Sequence, residues 1–360
     1  MKKILLKVLL LSFVLPIMAV PVQVYARARE VPYNHALSRA ISRSPVISPL
    51  DRDIRQANAR ARDIMDEYLT VVNVDQFAAY VLYGEWLQEI AARDRLTRER
   101  ERLVLAVELE LIGHLANLSR QRSDIQSLES NLLLQEQMLE HTILRHSHGM
   151  ASDFDLREAE QALEQTGLNL EMLRLAHQNE SQQLNRLIHQ PITADIRVIY
   201  DIDYSEPEVF ALEGTDLERH LRRQAERDHQ LMYFQEEVRI NHHNWQRFLD
   251  APEVNNDERR LLHRLSVLNR DMEERHAELR VRTAMGDWDR LVERQLALEA
   301  DLTQAQTNYE NMKNLLETGM ATQIQVDGLA VALAAQEAQL AQHNYAFWKQ
   351  RIRVMHPYLR

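Results

Sequence analysis

The sequence predicts an all-α protein built from two long antiparallel, coiled-coil-like helical hairpins. Three observations carry this expectation. Only 8 glycines and 9 prolines occur in 360 residues, so turns are scarce and the elements between them must be long. Apolar residues recur in steps of three and four over stretches of about 70 residues that contain no proline. The break Gly149-Met150-Ala151-Ser152 returns later in the chain as Gly319-Met320-Ala321-Thr322. Repetition at a fixed spacing means that one structural unit has been built twice.

Residues 1–26 read as a secretory signal. Lys2, Lys3 and Lys7 precede an apolar run from Val8 to Val20, and Val24-Tyr25-Ala26 offers a small-residue cleavage site. Pro16, Pro21 and the shortness of the run favour removal over a retained anchor helix. No later stretch approaches the ~18–20 apolar residues of a membrane-spanning helix. The mature chain is therefore expected to be exported and to carry no transmembrane helix.

The first unit is expected over 27–190. A short helix runs from Tyr33 to Arg43 and is interrupted at Ser44-Pro45 and Ser48-Pro49, since the residue before proline resists the helical region. A second helix spans Leu50 to Leu69, with Ile54, Ala57, Ala61, Ile64 and Tyr68 at helical spacing. The segment Leu69 to Asp75 is β-branched but very short. A long helix follows from Phe77 to Arg145, roughly 100 Å at 1.5 Å per residue. Gly149 stops it, because glycine takes the left-handed conformation that ends helices. Ser152-Asp-Phe-Asp155 fits a capping box that restarts the chain as a helix. The seam Leu156, Ala159, Leu163, Thr166, Leu170, Leu173 then runs towards Gln190.

A connector spans 191–215, in which Ile196, Val198 and Tyr200 fit either a small strand or an extended loop. The second unit, 216–360, opens with one helix from Asp216 to Leu249 and a polar loop over Glu253–Glu258. A long helix is expected from Arg259 to Leu316. Thr322-Gln-Ile-Gln325 repeats the capping box with glutamine, and Val326, Leu329, Leu333 and Leu340 repeat the seam. Leu298, Leu302 and Tyr309 answer Leu128, Leu132 and Leu139 at the same spacing.

Composition excludes several chemistries. There is no cysteine, hence no disulfide, thiolate metal site or cysteine nucleophile. Removing the three lysines of the signal segment takes the net charge from −11 to −14, a poor match to nucleic acid. No nucleophile elbow, phosphate loop or metalloprotease helix occurs, so neither enzymatic activity nor a cofactor is expected. His141, His146 and His148 cluster near the first break, as do His242 and His243 elsewhere, but no carboxylate-rich motif completes a metal set.

The duplicated Gly-x-x-Ser/Thr turn between long helices resembles the TolC-type outer-membrane efflux protein family. Gly149-Met-Ala-Ser152-Asp-Phe-Asp155-Leu156 matches that family's turn closely, and Gly319-Met-Ala-Thr322-Gln-Ile-Gln325-Val326 matches with one substitution. The resemblance implies a homotrimer with a twelve-helix periplasmic tube, working with a periplasmic adaptor and an inner-membrane pump. It implies adaptor contact at Gly149, Met150, Ala151 and Ser152 and at Gly319, Met320, Ala321 and Thr322. It makes Asp155 and, as a substitute, Asp327 candidates for constricting the tube tip. The family also places two membrane strands between the opening helix and the long helix of each unit. Here the Leu69–Phe77 interval has room for less than one strand of about 9–11 residues, and Leu249–Arg259 is polar loop only. The expectation is thus a helical tube without its barrel, exported to the periplasm or associated with the outer membrane. The alternative is an extracytoplasmic coiled-coil scaffold or adaptor with no pore.

Overall fold

The computed structural model describes residues 29–200, 214–246 and 256–357. Strand β1 (Arg29–Pro32) leads into helices α1 (Tyr33–Ser42), α2 (Ile47–Val71), α3 (Gln76–Ser147) and α4 (Asp153–Leu187). Strand β2 (Ile196–Ile199) is followed by α5 (Gly214–Glu226), α6 (His229–Gln246), α7 (Asn256–Glu317) and α8 (Gln323–Met355). The long helices α3 and α7 have 72 and 62 residues, roughly 110 and 90 Å. They are the spines of the two hairpins.

Helices this long gain their stability from partners, since most helical stability in proteins is tertiary. Shorter helices lie along each spine, α2 and α4 on α3, and α5, α6 and α8 on α7. On α3, α4 covers the half near the tip and runs antiparallel: Glu180 meets His114 Nδ1 at 2.8 Å and Asn117 Nδ2 at 3.0 Å, while Arg174 meets Glu129 at 2.6 Å. On the other half α2 is antiparallel too, with Arg60 3.0 Å from Glu89 and Arg100 paired to Asp51. The second spine is dressed alike. Gln350 donates to the Ala284 carbonyl (2.8 Å) and the His343 ring nitrogen faces the Leu291 carbonyl (2.9 Å), which sets the register of α8 on α7. Arg280 on α7 reaches Asp228, at the start of α6, at 2.7 Å. The exposed ion pairs among these fix register more than they stabilise.

The two hairpins meet where α3 faces α8. Gly113 lies against Lys349 and Ser119 against Tyr345, so residue numbers run in opposite directions and α8 is antiparallel to α3. The spines therefore point the same way, and both tips lie at one end. Here also sits the main core, where Leu111, Ile112, Leu184, Ile188 and Val198 are buried with Tyr345 and Ile352. Tyr33 and Tyr200 pack on Trp348 at centroid separations of 4.9 and 5.6 Å. Strands β1 and β2 pair in parallel, Val31 opposite Val198, and tie the start of one hairpin to the approach to the other. A smaller core on α7 and α8 packs Trp288 against Phe347, ring centroids 4.1 Å apart and tilted by 44°.

The expected elements are present, with four differences. Pro49 does not interrupt the chain: α2 begins at Ile47, and proline is tolerated in a first turn whose N–H groups have no intrahelical partner. The helix expected from Asp216 is two helices. Asp228 breaks it, its carboxylate accepting from the Gln230 and Leu231 N–H groups at 3.0 and 3.2 Å as an N-cap. The long second helix starts at Asn256, inside the expected polar loop. Helix α4 ends at Leu187, where His189 adopts a positive φ of 52°. The connector contains the strand rather than the loop, because β1 supplies it with a partner. The link between α2 and α3 is residues 72–75, shorter than a membrane strand. The signal segment and 247–255, most of the second such interval, lie outside the described residues. No helix among the described residues is long and apolar enough to cross a membrane.

Replacing Trp288 by alanine removes the packing against Phe347. It is expected to cost about 3–5 kcal/mol of stability, as for other buried aromatics, read by urea unfolding.

Candidate functional site

The feature that both hairpins present at the same end is the tip. Each spine stops by the same hydrogen bonds. Gly149 (φ 73°) and Gly319 (φ 72°) adopt the left-handed conformation. The Met150 N–H reaches back to the Arg145 carbonyl at 2.8 Å, and the Met320 N–H to the Leu315 carbonyl at 2.9 Å. Gly149 and Gly319 donate to His146 and Leu316 at 2.9 and 3.0 Å. This satisfies carbonyls that a helix end leaves without partners.

The return helices start with matching chemistry. Ser152 Oγ accepts the Asp155 N–H at 3.2 Å, and Asp155 Oδ2 accepts the Ser152 N–H at 2.8 Å and its hydroxyl at 2.9 Å. At the second tip, Gln325 Oε1 accepts the Thr322 N–H at 2.9 Å and its hydroxyl at 3.2 Å. These Ser152 hydrogen bonds, the backbone one first, hold the Asp155 carboxyl below its ordinary value. Asp327 Oδ1 accepts from Gln323 Nε2 at 2.7 Å.

Arg145 Nη2 donates to the Met150 carbonyl at 3.2 Å, yet the turn side chains stay open to solvent. Met150 is 62% exposed and Met320 71%. Beside them stand Phe154, 70% exposed, and Ile324, four residues on in each case. These two escaped the sequence reading, although they repeat at the same spacing that marked the glycines. Each tip thus offers a flexible thioether next to a rigid apolar group, the composition of an adaptable contact surface. A side-chain contact across the turn also separates the tips. His146 lies 2.8 Å from Asp153 across the first turn, whereas Leu316 and Gln323 occupy those places in the second. The other expected histidine cluster is a packing feature: His243 stacks on Tyr80 at 4.2 Å. Among the described residues, no group of His, Asp and Glu side chains is placed to hold a metal ion.

No family profile matches this sequence, and no curated protein matches it. Solved structures do. The outer membrane protein VceC of Vibrio cholerae aligns over 90% of this chain and 95% of its own, with a TM-score of 0.61 at 12% identity. The chain has the fold of outer-membrane channel proteins. CusC, described as undergoing transmembrane channel formation, gives a TM-score of 0.63 at 13% identity over 90% of this chain and 91% of that one. The CmeC outer membrane channel of Campylobacter jejuni gives 0.61 at 11% identity, over 90% and 85%. The TolC-type likeness read from the duplicated turn between long helices is therefore a likeness of fold over 90% of the chain.

Replacing Gly149 or Gly319 by alanine forces a β-carbon into the left-handed region. Each is expected to cost about 1 kcal/mol, and Ser152→Ala a further ~1 kcal/mol through the lost cap. Hydrogen exchange at 150–156 and 320–326 should quicken while the cores stay protected. Because the native Asp155 carboxyl is depressed, its capping contribution is present above the ordinary carboxylate range and is lost as pH falls through the native value. Asp155 should titrate lower in the protein than in a tip peptide, and Ser152→Ala should raise it.

Proposed function

We propose that this chain is the helical duct component of an efflux or export system, an exported homotrimer of the periplasm or outer membrane. Its tips dock onto a periplasmic adaptor that connects it to an inner-membrane pump. The observation that carries this reading is the pair of co-aligned apolar tips on spines of roughly 100 Å, in a fold shared with outer-membrane channels. The docking residues are Gly149–Ser152 and Gly319–Thr322, with Phe154 and Ile324 beside them. Asp155 and Asp327, in the first turns beyond the tips, belong to the same proposal as residues narrowing the tube mouth. Asp155 is already held by Ser152, which makes Asp327 the less firmly tied of the two.

Exposed apolar stripes among the described residues support the assembly. Within one chain, α3 is covered by α6 at Arg95 and Arg98, both within ion-pair reach of Glu236. Their counterparts in the second repeat, Leu265 and Leu268, are 46% and 58% exposed. They belong to a stripe of Leu261, Leu265, Leu268 and Met272 in steps of four and three, a coiled-coil seam left exposed among the described residues. Helix α4 carries another, Leu168, Met172 and Leu175. One open stripe on each hairpin suits copies added head to tail until the ring closes.

Light scattering on the mature protein should give three protomer masses. Leu265→Glu with Leu268→Glu should reduce it to one, with helical content kept. A wild-type monomer at micromolar concentration contradicts the assembly. Met150→Glu with Met320→Glu should leave the trimer intact and abolish adaptor binding in a pull-down.

The short α2–α3 link favours a second reading, a scaffold that pairs with an adaptor but forms no pore. Planar-bilayer conductance separates the two: a duct that opens a membrane path conducts, a scaffold does not.

A further inference from the structure

Opposite its tip, the first hairpin ends in an apolar link. From Tyr68 to Gly84, across the α2–α3 turn, Asp75 is the only charged residue, in a chain of which 27% is charged. Val74 at the apex is 86% exposed and Phe77 64%, and Leu69 stands open beside them. Asp75 is tied into the fold: its Oδ1 accepts the Phe77 and Ala78 N–H groups, both at 3.0 Å. The helix N-terminus that it caps also stabilises its negative charge.

Behind the apex stands a collar of aromatic residues. Tyr80, Tyr83 and Trp86 lie roughly 5–15 Å along α3 from its start. Tyr68 on α2 meets Tyr83 at a centroid separation of 6.0 Å, and Tyr83 meets Trp86 at 5.5 Å. Helix α6 brings Trp245 to the same level, because His243 stacks on Tyr80 at 4.2 Å and its carbonyl accepts the Tyr80 hydroxyl at 3.2 Å. Gly84 permits this approach: a β-carbon there would lie 2.9 Å from His243 Nε2. Further along the shaft, Arg60 pairs with Glu89. The surface therefore passes from an ion pair through tyrosine and tryptophan to bare aliphatic and phenyl groups at the apex. A bilayer has the same order, water, headgroups and acyl chains, and Tyr and Trp collect at headgroup level because each has an apolar body and a polar edge. Neither docking tip has a tyrosine or tryptophan within two helical turns of its glycine.

We propose that this end rests on a lipid bilayer, with Leu69, Val74 and Phe77 in the outermost acyl layer of one leaflet and the aromatic collar among the headgroups. Such an anchor lies in the membrane surface without spanning it, and the link at residues 72–75, too short for a membrane strand, is long enough for it. The surface it suits is zwitterionic. Between Arg62 and Arg93 the chain has no lysine or arginine, whereas Asp63, Asp66, Glu67, Asp75, Glu85 and Glu89 are acidic. Anionic headgroups attract basic segments and repel an end of this charge. The anchor depends on neither the trimer nor the tips.

Co-sedimentation of the mature protein with phosphatidylcholine vesicles tests this. The protein should bind them, and adding phosphatidylglycerol should not strengthen binding. Val74→Asp with Phe77→Asp should weaken partitioning at least about tenfold, with helical content kept by circular dichroism. Met150→Glu with Met320→Glu, at the other end, should bind as the wild type does. Because the chain has no cysteine, Val74→Cys and Met150→Cys each accept a single environment-sensitive fluorophore. The label at 74 should shift to the blue on vesicles and the label at 150 should not. Failure to sediment at millimolar lipid would leave this end to a protein partner and overturns the proposal. Undiminished binding by the double aspartate variant overturns it too, as does a shift at 150 in place of 74. Vesicle-bound protein that resists alkaline carbonate, which strips surface-bound proteins, would be spanning the bilayer and equally overturns it.

Discussion

The structure depends on pairing two very long helices along their whole length. Helix α3, 72 residues long and with no glycine or proline stop between Gly113 and Gly149, cannot fold back on itself. Its apolar stripe must be covered by other helices, and the chain does this by laying shorter ones along each spine. The tight turns at Gly149 and Gly319 follow from this constraint. A loose connection would let α4 or α8 slide along its spine, and a slip of one residue would rotate the seam out of contact. The left-handed glycine and the cap one turn later fix where each return helix begins, and so fix the register of everything behind it.

The same logic governs the junction between the hairpins. Its closest ion pair is placed where water is excluded. Arg98 and Glu236 pair in a buried position, and burial, the larger effect, raises the Glu236 carboxyl above its ordinary value despite Arg98. Within the first hairpin, Glu108, half-buried and bonded to the Tyr33 hydroxyl at 3.2 Å, is raised for the same reason. Buried pairs of this kind select one arrangement rather than add much net stability. Here the arrangement selected is two parallel spines, which is what brings the tips together at one end.

Much of this was legible in the sequence because the signals are local. The stop at Gly149, the cap at Ser152 and the seam from Leu156 each need only a few neighbouring residues to be recognised. The constant spacing between the repeats made the second set readable from the first. What stayed hidden depended on partners distant in the chain. Pro49 looked like a break because its tolerance depends on which residue starts α2. Asp228 was lost in a polar stretch, although its capping role also positions it for Arg280. The strand at Ile196–Ile199 could not be told from a loop until β1 stood beside it. Arg98 and Glu236 lie in different repeats, and nothing in either neighbourhood announces the other. At the candidate site, the glycines and caps were visible and Phe154 and Ile324 were not, because exposure is decided by the turn geometry rather than by residue type.

The most direct test is the separation of the two tips. The chain has no cysteine, so Met150→Cys with Met320→Cys provides unique positions for spin labels, diluted with unlabelled protein and measured by double electron–electron resonance. Parallel spines predict a distance of about 10–30 Å, one to three interhelical spacings. A separation approaching the ~100 Å length of a spine would put the tips at opposite ends and contradict a common docking face.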